Sequence, residues 1–435
     1  MQDPPDTTET APERRHTNHP SRPETQGTLL ARVSDLHLHF DTDRGAVKAL
    51  DGVNFDVHQD ELFALVGETG CGKTVTARSF MQLVPTPPGK YPSGEIRMRS
   101  NRSCNGCGGD GCERCDETGV EFDDLLSLSK SEMEAFRGDR ISMIFQDPQT
   151  TLNPSLPIRT HLAESILAHH SEEILEEAGV DLEAAGPAIR RVLRNRASAE
   201  RTPLYTLLAK LPPFRNRTKD IRRVLTERSI ELLYQTQVPN PREVLDNYAH
   251  ELSGGQQQRV MIAIALAAEP DLLIADEATT ALDVTTQARI LKLLKDLQEE
   301  YNTGLLYITH DLNLVHEIAD RVAVMYAGSI AEMGDVDAIY DDPKHPYTQG
   351  LINSVPREEM VGKRLEGIEG TIPDLVNPPK GCRFCTRCPD VMDHCSEIDP
   401  PVVTDATGRQ VVCHLYEDGA YETSTSNPTS GTHQR

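Results

Sequence analysis

The sequence predicts an α/β fold in which apolar strands lead into loops and helices, and three segments carry this prediction. Residues 62–66 form an apolar run that leads into the glycine-rich residues 67–74. Residues 271–277 form a second apolar run that ends in two carboxylates, and residues 304–309 form a third. Short apolar runs bounded by polar residues are typical of strands that are buried on both faces of a sheet.

The glycine-rich segment has the spacing G-x-x-x-x-G-K-[ST], which is typical of a phosphate-binding loop between a strand and a helix. Its glycines let backbone N–H groups turn inward and cradle phosphate oxygens at a helix N-terminus. Lys73 is expected to reach the β and γ phosphates, and the Thr74 hydroxyl is expected to join the shell of Mg²⁺. The predicted ATP-binding residues are Gly67, Glu68, Thr69, Gly70, Cys71, Gly72, Lys73 and Thr74.

The paired carboxylates Asp276 and Glu277 end the second apolar run. A carboxylate at the end of a strand beside a phosphate loop is where Mg²⁺ takes a second protein anchor, and we assign that role to Asp276. Glu277 is the residue expected to polarise the attacking water. Two solvated acids that cap a strand are the plainer interpretation, and the phosphate loop disfavours it.

Further motifs follow in order, and with them residues 30–340 resemble the ATP-binding subunit of an ABC transporter. Residues 252–256 read Leu-Ser-Gly-Gly-Gln, as in the signature motif of that family, and residues 281–283 match its D-loop. Gln146 matches the Q-loop glutamine, and His310 matches the switch histidine. The conjunction and the order of these motifs make the resemblance specific.

The resemblance implies a RecA-like core with a mixed sheet, an antiparallel β layer and a helical subdomain. It also implies ATP hydrolysis in which Glu277, His310 and Gln146 are catalytic, with Gln146 joining Thr74 and Asp276 at Mg²⁺. The D-loop aspartate is Asp283. The signature residues, which act on the ATP of a second ATPase subunit, are Ser253, Gly254, Gly255 and Gln256.

Composition excludes some classes of function. The chain has 435 residues and a net charge of −24, from 68 acidic against 44 basic residues, which argues against nucleic acid as a partner. Arginine outnumbers lysine about three to one and tryptophan is absent, a balance that favours a protein from a halophilic, salt-rich cytoplasm. No apolar run approaches the roughly 18 residues that a membrane span requires, and no signal peptide is recognisable, so we expect a soluble chain.

The chain is expected to divide into one ATPase domain and a smaller C-terminal extension. The tails, residues 1–28 and 421–435, are too polar to bury a core and are expected to be disordered. The remaining boundaries are residues 29–340 for the ATPase domain, 100–120 for a cysteine-rich insertion, 169–222 for a charged insertion in the helical subdomain, and 341–420 for the extension. The charged insertion is interpreted as a solvated decoration or as a modifier of docking to the membrane partner.

The C-terminal extension resembles that of one group within this family, the importers. Residues 342–348 resemble the segment that marks oligopeptide, dipeptide and nickel importers. The spacing C-x5-C-x6-C-x17-C is the one that ATPases of peptide importers carry, and there it implies a [4Fe–4S] cluster. Zinc is the alternative because four thiolates suit both metals, and Cys385 is a competing ligand. The implied ligands are Cys382, Cys388, Cys395 and Cys413.

The insertion at residues 100–120 holds a second group of cysteines. Residues 104–111 match the CxxCxGxG repeat of DnaJ-type chaperones, and residues 112–119 match it except at Glu117. Four soft ligands in so short a segment are typical of a tetrahedral zinc site, although a redox pair or unligated thiols are alternatives. The candidate ligands are Cys104, Cys107, Cys112 and Cys115.

Together these features imply the ATPase subunit of an importer of di- or oligopeptides, with nickel, sugars or another small solute as the alternative. The implied partners are a second, different ATPase, two transmembrane permeases and an extracellular solute-binding protein, which place the chain at the cytoplasmic face of the membrane. A soluble ABC ATPase of translation or repair is disfavoured because only one set of motifs is present. An exporter ATPase is disfavoured by the C-terminal segment, and a non-hydrolysing regulatory subunit by the presence of Glu277 and His310. Adenine stacking is left open between Phe40 and Arg44.

Overall fold

The computed structural model describes residues 27–104, 106–107, 112, 118–179, 212–279, 282–354 and 367–417. Both predicted disordered tails therefore lie almost wholly outside the described residues, as do Cys115, Ala281 and most of the charged insertion. The sequence also predicts a helix over residues 188–197, and these residues lie outside the described part of the chain as well. Within the described part of the chain, no helix is long and apolar enough to cross a membrane.

The main sheet has eight strands and mixes parallel with antiparallel pairing. Its strands are β3 (Leu62–Val66), β7 (Ile141–Ile144), β8 (Leu272–Asp276), β9 (Gly304–Thr309), β10 (Arg321–Tyr326), β11 (Ser329–Asp335), β12 (Val402–Thr404) and β13 (Gln410–Val412). The spatial order is β12-β13-β11-β10-β3-β9-β8-β7. Pairing is parallel from β10 to β7 and antiparallel among β10, β11, β13 and β12. The mixed sheet and its three predicted strands, β3, β8 and β9, are confirmed.

A second sheet of five strands is antiparallel throughout. It contains β1 (Leu29–Thr42), β2 (Gly45–His58), β4 (Gly89–Lys90), β5 (Glu95–Ser103) and β6 (Val120–Asp124). The sequence also predicts a strand over residues 94–99, and in the structure it runs from Glu95 to Ser103 because Ser103 pairs with Val120 on β6. The cysteine-rich insertion therefore lies between the paired strands β5 and β6.

Helices connect the strands of the main sheet and pack against it. They are α1 (Lys73–Phe80), α2 (Lys130–Phe136), α3 (Pro148–Thr151), α4 (Ile158–His169), α5 (Ser171–Glu177), α6 (Pro212–Gln235), α7 (Pro241–Val244), α8 (Gly254–Leu266), α9 (Val284–Tyr301), α10 (Leu312–Ile318), α11 (Val336–Asp341) and α12 (Pro346–Asn353). Helices α4, α5 and α6 share their own apolar cluster, which includes Ile166, Ile174 and Val224. This cluster gives the helical subdomain a core separate from that of the sheet.

Strand β3 shows why the phosphate loop has a rigid base. Leu62, Ala64 and Val66 belong to the apolar core on one face of the sheet, whereas Phe63 and Leu65 belong to the core on the other. All five residues have no exposed surface. Because alternate side chains of a strand point to opposite faces, burial on both faces explains the continuous apolar run in the sequence.

The C-terminal extension packs directly on the ATPase domain. Strand β13 pairs with β11, so the extension continues the main sheet. Glu332 on β11 is fully buried, and Arg409 donates to its carboxylate from Nε at 3.1 Å. A buried carboxylate needs such a partner, because burying an unpaired charge is strongly unfavourable.

Candidate functional site

The phosphate loop follows β3 and is shaped by glycines that no other residue replaces without strain. Gly72 has a φ of 112°, which side chains of L residues rarely adopt. A Cβ on Gly67 would lie 2.1 Å from the carbonyl oxygen of Met325 on β10. The loop therefore combines a left-handed backbone with close contact to a neighbouring strand, and both features require glycine.

Lys73 begins helix α1 and turns back over the loop. Its Nζ donates to the carbonyl oxygens of Gly67 at 2.7 Å and Glu68 at 3.1 Å, and the residue is 4% exposed. No side chain among the described residues caps the N-terminus of α1. Free N–H groups at a helix N-terminus, together with a lysine, form an arrangement suited to a phosphate anion.

Thr74 and Asp276 bring two oxygen atoms together beside the loop. The Thr74 hydroxyl donates to Asp276 Oδ1 at 3.0 Å. Asp276 is 2% exposed, and burial raises its pKa, with the charge of Glu277 adding to the rise and the Thr74 hydrogen bond and Arg78 opposing it. A buried carboxylate and a hydroxyl are hard oxygen ligands of the kind that Mg²⁺ prefers, so these residues fit a magnesium ion.

Glu277 occupies a constrained position directly after β8. Its φ is 46°, which is uncommon for a residue other than glycine, and its N–H donates to the carbonyl oxygen of Ile308 at 2.9 Å. Gln146 Nε2 donates to Glu277 Oε2 at 3.0 Å, and His310 Nδ1 lies 3.5 Å from Glu277 Oε1. The structure thus brings together the three predicted catalytic residues on segments that follow β7, β8 and β9.

The signature motif forms the N-terminus of helix α8 and faces solvent. Ser253 accepts a hydrogen bond from the Gln256 N–H and donates to Gln256 Oε1 at 3.1 Å, and Ser253 and Gly254 are exposed. Asp283 caps helix α9 by accepting from the Thr286 N–H at 3.0 Å. A Cβ on Gly255 would lie 3.0 Å from Thr286, so the signature and D-loop segments are neighbours.

The two candidates for adenine stacking differ in their surroundings. Phe40 packs against the apolar core below the antiparallel sheet. Arg44 lies in the exposed turn between β1 and β2. Phe40 is half-buried and Arg44 is exposed, so neither side chain is closed off from a base.

The C-terminal cysteines surround one small cavity. Its lining includes Cys382, Cys385, Cys388, Cys395 and Cys413. Burial raises the pKa of Cys382 to about 12 and that of Cys388 to about 11. The four implied ligands and the competing Cys385 are therefore brought together.

The insertion cysteines that the structure describes are also close to each other. The sulfur atoms of Cys104, Cys107 and Cys112 lie within 4.8 Å of one another, and those of Cys104 and Cys112 are 3.9 Å apart. The fourth candidate, Cys115, lies outside the described residues.

Contacts between the phosphate loop and the C-terminal extension are not recognisable in the sequence. Arg387 forms a two-pronged ion pair with Glu68, and the Tyr347 hydroxyl accepts from the Glu68 N–H at 2.9 Å. Glu68 occupies a variable position of the loop motif, and 319 residues separate it from Arg387. Neither local composition nor spacing indicates such a pair.

Comparisons with known proteins agree with this geometry. The family model described as ABC transporter matches residues 50–280, and the model described as oligopeptide/dipeptide transporter, C-terminal region, matches residues 331–395. The chain is 39% identical over 388 residues to a dipeptide transport ATP-binding protein of Bacillus subtilis, covering 89% of this chain and 95% of that protein. It is 41% identical over 376 residues to an oligopeptide transport ATP-binding protein of the same species, covering 86% of each. A dipeptide transport ATP-binding protein of Lactococcus lactis is 37% identical over 372 residues, again covering 86% of each.

Proposed function

This chain belongs to the ABC transporter ATP-binding proteins of the oligopeptide/dipeptide family, and from that membership we propose that it hydrolyses ATP to power the import of peptides. The observation that carries the proposal is the convergence of Thr74 with Asp276 and of Gln146 and His310 with Glu277. These contacts unite a triphosphate site, a magnesium site and a candidate base at one edge of the sheet.

The loop and the residues around it have distinct roles in the proposed reaction. Backbone N–H groups of the loop and Lys73 bind the phosphates, and Thr74 and Asp276 hold Mg²⁺. Mg²⁺, when bound, supplies neutralisation of the charge that develops on the phosphate oxygens. Glu277 accepts a hydrogen bond from the attacking water and orients it toward the γ-phosphate.

Gln146 and His310 fix the carboxylate that orients the water. Each contacts a different oxygen of Glu277, and the side chain of Glu277 is only 12% exposed whereas that of His310 is 49% exposed. His310 is therefore accessible to a γ-phosphate while it contacts Glu277. Gln146 lies on the segment that leads from β7 to α3, so it is suited to sense the helical subdomain.

A second ATPase subunit is part of the proposal because the signature motif is exposed. Ser253, Gly254 and Asp283 face solvent, and the neighbouring Val284 is 77% exposed. An exposed helix N-terminus next to an exposed apolar side chain is suited to a partner that brings both an anion and an apolar surface. We assign this surface to a different ATPase subunit that completes the site with its own bound ATP.

The remaining partners follow from family membership. We propose two permeases, an extracellular solute-binding protein, and a location at the cytoplasmic face of the membrane. The relatives are named for dipeptide and oligopeptide transport, which favours peptides over nickel or sugars as the solute.

The C-terminal cysteines are proposed to hold a [4Fe–4S] cluster through Cys382, Cys388, Cys395 and Cys413. A tetrahedral zinc site with Zn–S bonds of about 2.3 Å places its sulfurs about 3.8 Å apart. Among the described residues, no three of these cysteines gather within 4.8 Å of one another, although all of them line one cavity. The family spacing of the four cysteines supports a cluster with several iron atoms, and a single zinc ion is the alternative. The role of such a cluster here is structural or electronic, and no step of ATP hydrolysis requires it.

The insertion is proposed to bind one zinc ion. The separation of 3.9 Å between the sulfurs of Cys104 and Cys112 is close to the edge of a tetrahedral zinc site. Cys107 supplies a third ligand, and Cys115 is proposed as the fourth. The site would close the connection between β5 and β6.

The function is tested by reconstituting the chain with its permeases, its second ATPase and its solute-binding protein in lipid vesicles. We expect dipeptides or oligopeptides to raise both ATP turnover and solute uptake, and Glu277→Gln to abolish both responses. Stimulation by nickel or by a sugar, with none by peptides, would assign the transporter to the alternative solutes.

A further inference from the structure

The geometry points to Arg387 and Arg383 as positioning residues that let the segment 382–388, here termed the cysteine loop, hold the phosphate loop in its ATP-binding conformation. The inference rests on the proposed binding of ATP and goes beyond it by assigning a task to the C-terminal extension. The hydrogen bonds of the two arginines go to Asp51, Glu68, Tyr326, Ala327, Ile368 and Glu369, and not to Thr74, Asp276 or Glu277.

Arg387 contacts the phosphate loop at Glu68, the second residue of the loop. Its Nη1 donates to Glu68 Oε2 at 2.7 Å, and its Nη2 donates to Glu68 Oε1 at 3.1 Å. Such a paired arrangement fixes the carboxylate in direction as well as in position. The pair thus constrains the loop between Gly67 and Thr69.

The arginine is itself held rigidly, which distinguishes it from an ordinary surface ion pair. Its side chain is 4% exposed. It donates to the carbonyl oxygens of Ile368 at 3.2 Å and Glu369 at 2.9 Å, and to the Tyr326 hydroxyl at 3.3 Å. Exposed pairs lose most of their strength to solvent and to side-chain entropy, and both losses are smaller here because the guanidinium is fixed and Glu68 is only 29% exposed.

A second contact fixes the backbone of the same loop residue. The Glu68 N–H donates to the hydroxyl of Tyr347, a fully buried residue of α12. The Tyr347 ring lies 5.4 Å from the ring of Phe384 in the cysteine loop. Both the side chain and the backbone of Glu68 are therefore held by the C-terminal part of the chain.

Arg383 supports the phosphate loop indirectly, through the turn that follows β10. It donates to the carbonyl oxygen of Ala327 and to the carboxylate of Asp51. The adjacent Gly328 N–H donates to the carbonyl oxygen of Cys71 at 2.8 Å, within the phosphate loop. Arg383 thus fixes the turn after β10 that in turn fixes Cys71.

The two arginines lie between cysteines of the candidate metal site. Arg383 follows Cys382, and Arg387 precedes Cys388. The conformation of the cysteine loop therefore determines where both guanidinium groups lie. Arg387 also neutralises the charge of Glu68. Without Arg387, the unpaired Glu68 carboxylate would repel the negatively charged triphosphate and so weaken ATP binding.

A double-mutant cycle on ATP affinity tests the proposal in the full chain. The variants are Arg387→Gln, Glu68→Gln and the two combined, with Lys380→Gln as a control that removes an exposed positive charge near the same loop. The dissociation constant of a fluorescent ATP analogue is measured for each variant, and the chain adds no tryptophan fluorescence to the signal because it has no tryptophan. The metal content and the circular dichroism spectrum of each variant are measured as well.

We expect Arg387→Gln to weaken ATP binding about tenfold, as loss of a charge-assisted hydrogen-bond pair allows. In the Glu68→Gln background the same substitution should weaken ATP binding by less than about threefold, because the effects of substituting two interacting residues are not additive. Lys380→Gln should leave affinity unchanged. In the assembled transporter Arg387→Gln should raise the KM for ATP more than it lowers kcat.

Unaltered affinity in Arg387→Gln, or an undiminished loss in the Glu68→Gln background, would overturn the proposal. If Arg387→Gln loses bound metal, and this loss accounts for its weaker ATP binding, the proposal that Arg387 itself positions the phosphate loop would also be overturned. If Arg387→Gln does not fold, Arg387→Lys keeps the charge but not the two-pronged contact, and unaltered affinity in that variant would equally overturn it. A parent chain that binds no ATP would instead contradict the proposed function.

Discussion

The Thr74 hydroxyl donates a hydrogen bond to the Asp276 carboxylate at 3.0 Å, although 202 residues separate the two along the chain. The contact exists because β3 and β8 are parallel strands of one sheet, so that their carboxyl ends lie at the same edge. Parallel pairing therefore converts two distant motifs into a single site for a phosphate and a divalent cation.

Replacing Lys73 by alanine should abolish ATP binding while the fold stays intact. Lys73 is the one cation within the loop sequence, and its Nζ already lies 2.7 Å from the Gly67 carbonyl oxygen at the mouth of the loop. Binding is measured by titration with a fluorescent ATP analogue, and folding by circular dichroism. Lys292→Ala, on the exposed face of α9, is the matched control and should bind as the parent does. Normal affinity in Lys73→Ala would show that the loop does not bind phosphate.

Replacing Glu277 by glutamine should leave ATP binding intact and reduce turnover by about 10²-fold or more, the size expected for losing one acid–base group. Glutamine keeps the shape of the side chain and an oxygen that accepts from Gln146, but it has no charge with which to polarise water. Turnover is measured in the reconstituted transporter, with the exposed Glu299→Gln as control. Hydrolysis at the parental rate would remove Glu277 from the catalytic assignment.

The parts of the site that the sequence predicted share a common property. The phosphate loop, β8 and β9 are short segments in which residue type and spacing directly reflect the backbone they form, as with the apolar residues of β3 that are buried on both faces. Gln146, Glu277 and His310 each follow a buried parallel strand, so their convergence follows from sheet order.

The parts that were not predicted depend on pairs distant in sequence. Glu68 and Arg387 are ordinary charged residues until β11 and β13 pair and place the extension against the loop. The end of β5 was also misplaced, because continuation to Ser103 depends on its partner Val120 rather than on local propensity. Long-range partners of this kind leave no periodic or compositional signal.

The C-terminal cysteines should give anaerobically purified protein a brown colour with broad absorption at about 400 nm, as thiolate-ligated iron does. Cys388→Ser should lose this absorption together with the iron, whereas Cys385→Ser should retain both. The measurement is the absorption spectrum beside iron and zinc analysis. A colourless parent protein with stoichiometric zinc would show that the site binds zinc. Loss of colour in Cys385→Ser but not in Cys388→Ser would show that Cys385, rather than Cys388, is a ligand.

The variant in which Cys104, Cys107, Cys112 and Cys115 are all replaced by serine should contain about one zinc ion per chain less than the parent protein. A segment this short cannot bury a core of its own, so a metal ion is the main source of order available to it. ATP binding should persist, because none of the phosphate-loop residues lies in this segment. Both proteins are purified without added metal and analysed side by side. Equal zinc in the two, or none in the parent, would contradict the site.

Removing Arg409 should destabilise the junction between the extension and the ATPase sheet. Arg409→Ala leaves the fully buried Glu332 without its cation, and breaking a buried pair from one side lowers the free energy of unfolding by about 3–5 kcal/mol. The N–H groups of Lys344 and His345, at 2.9 and 3.0 Å from the same carboxylate, remain but carry no full charge.

The matched control for Arg409 is Arg223→Ala in α6. Arg223 pairs with Glu227 at 3.2 Å, but the two side chains are 60% and 55% exposed. Solvent screens such a pair, so its loss should change stability by less than about 0.5 kcal/mol. Urea unfolding followed by circular dichroism compares the two variants. Equal midpoints would mean that Glu332 is protonated or solvated in the folded protein, and the extension would then be held to the sheet by β11 and β13 and by apolar packing instead.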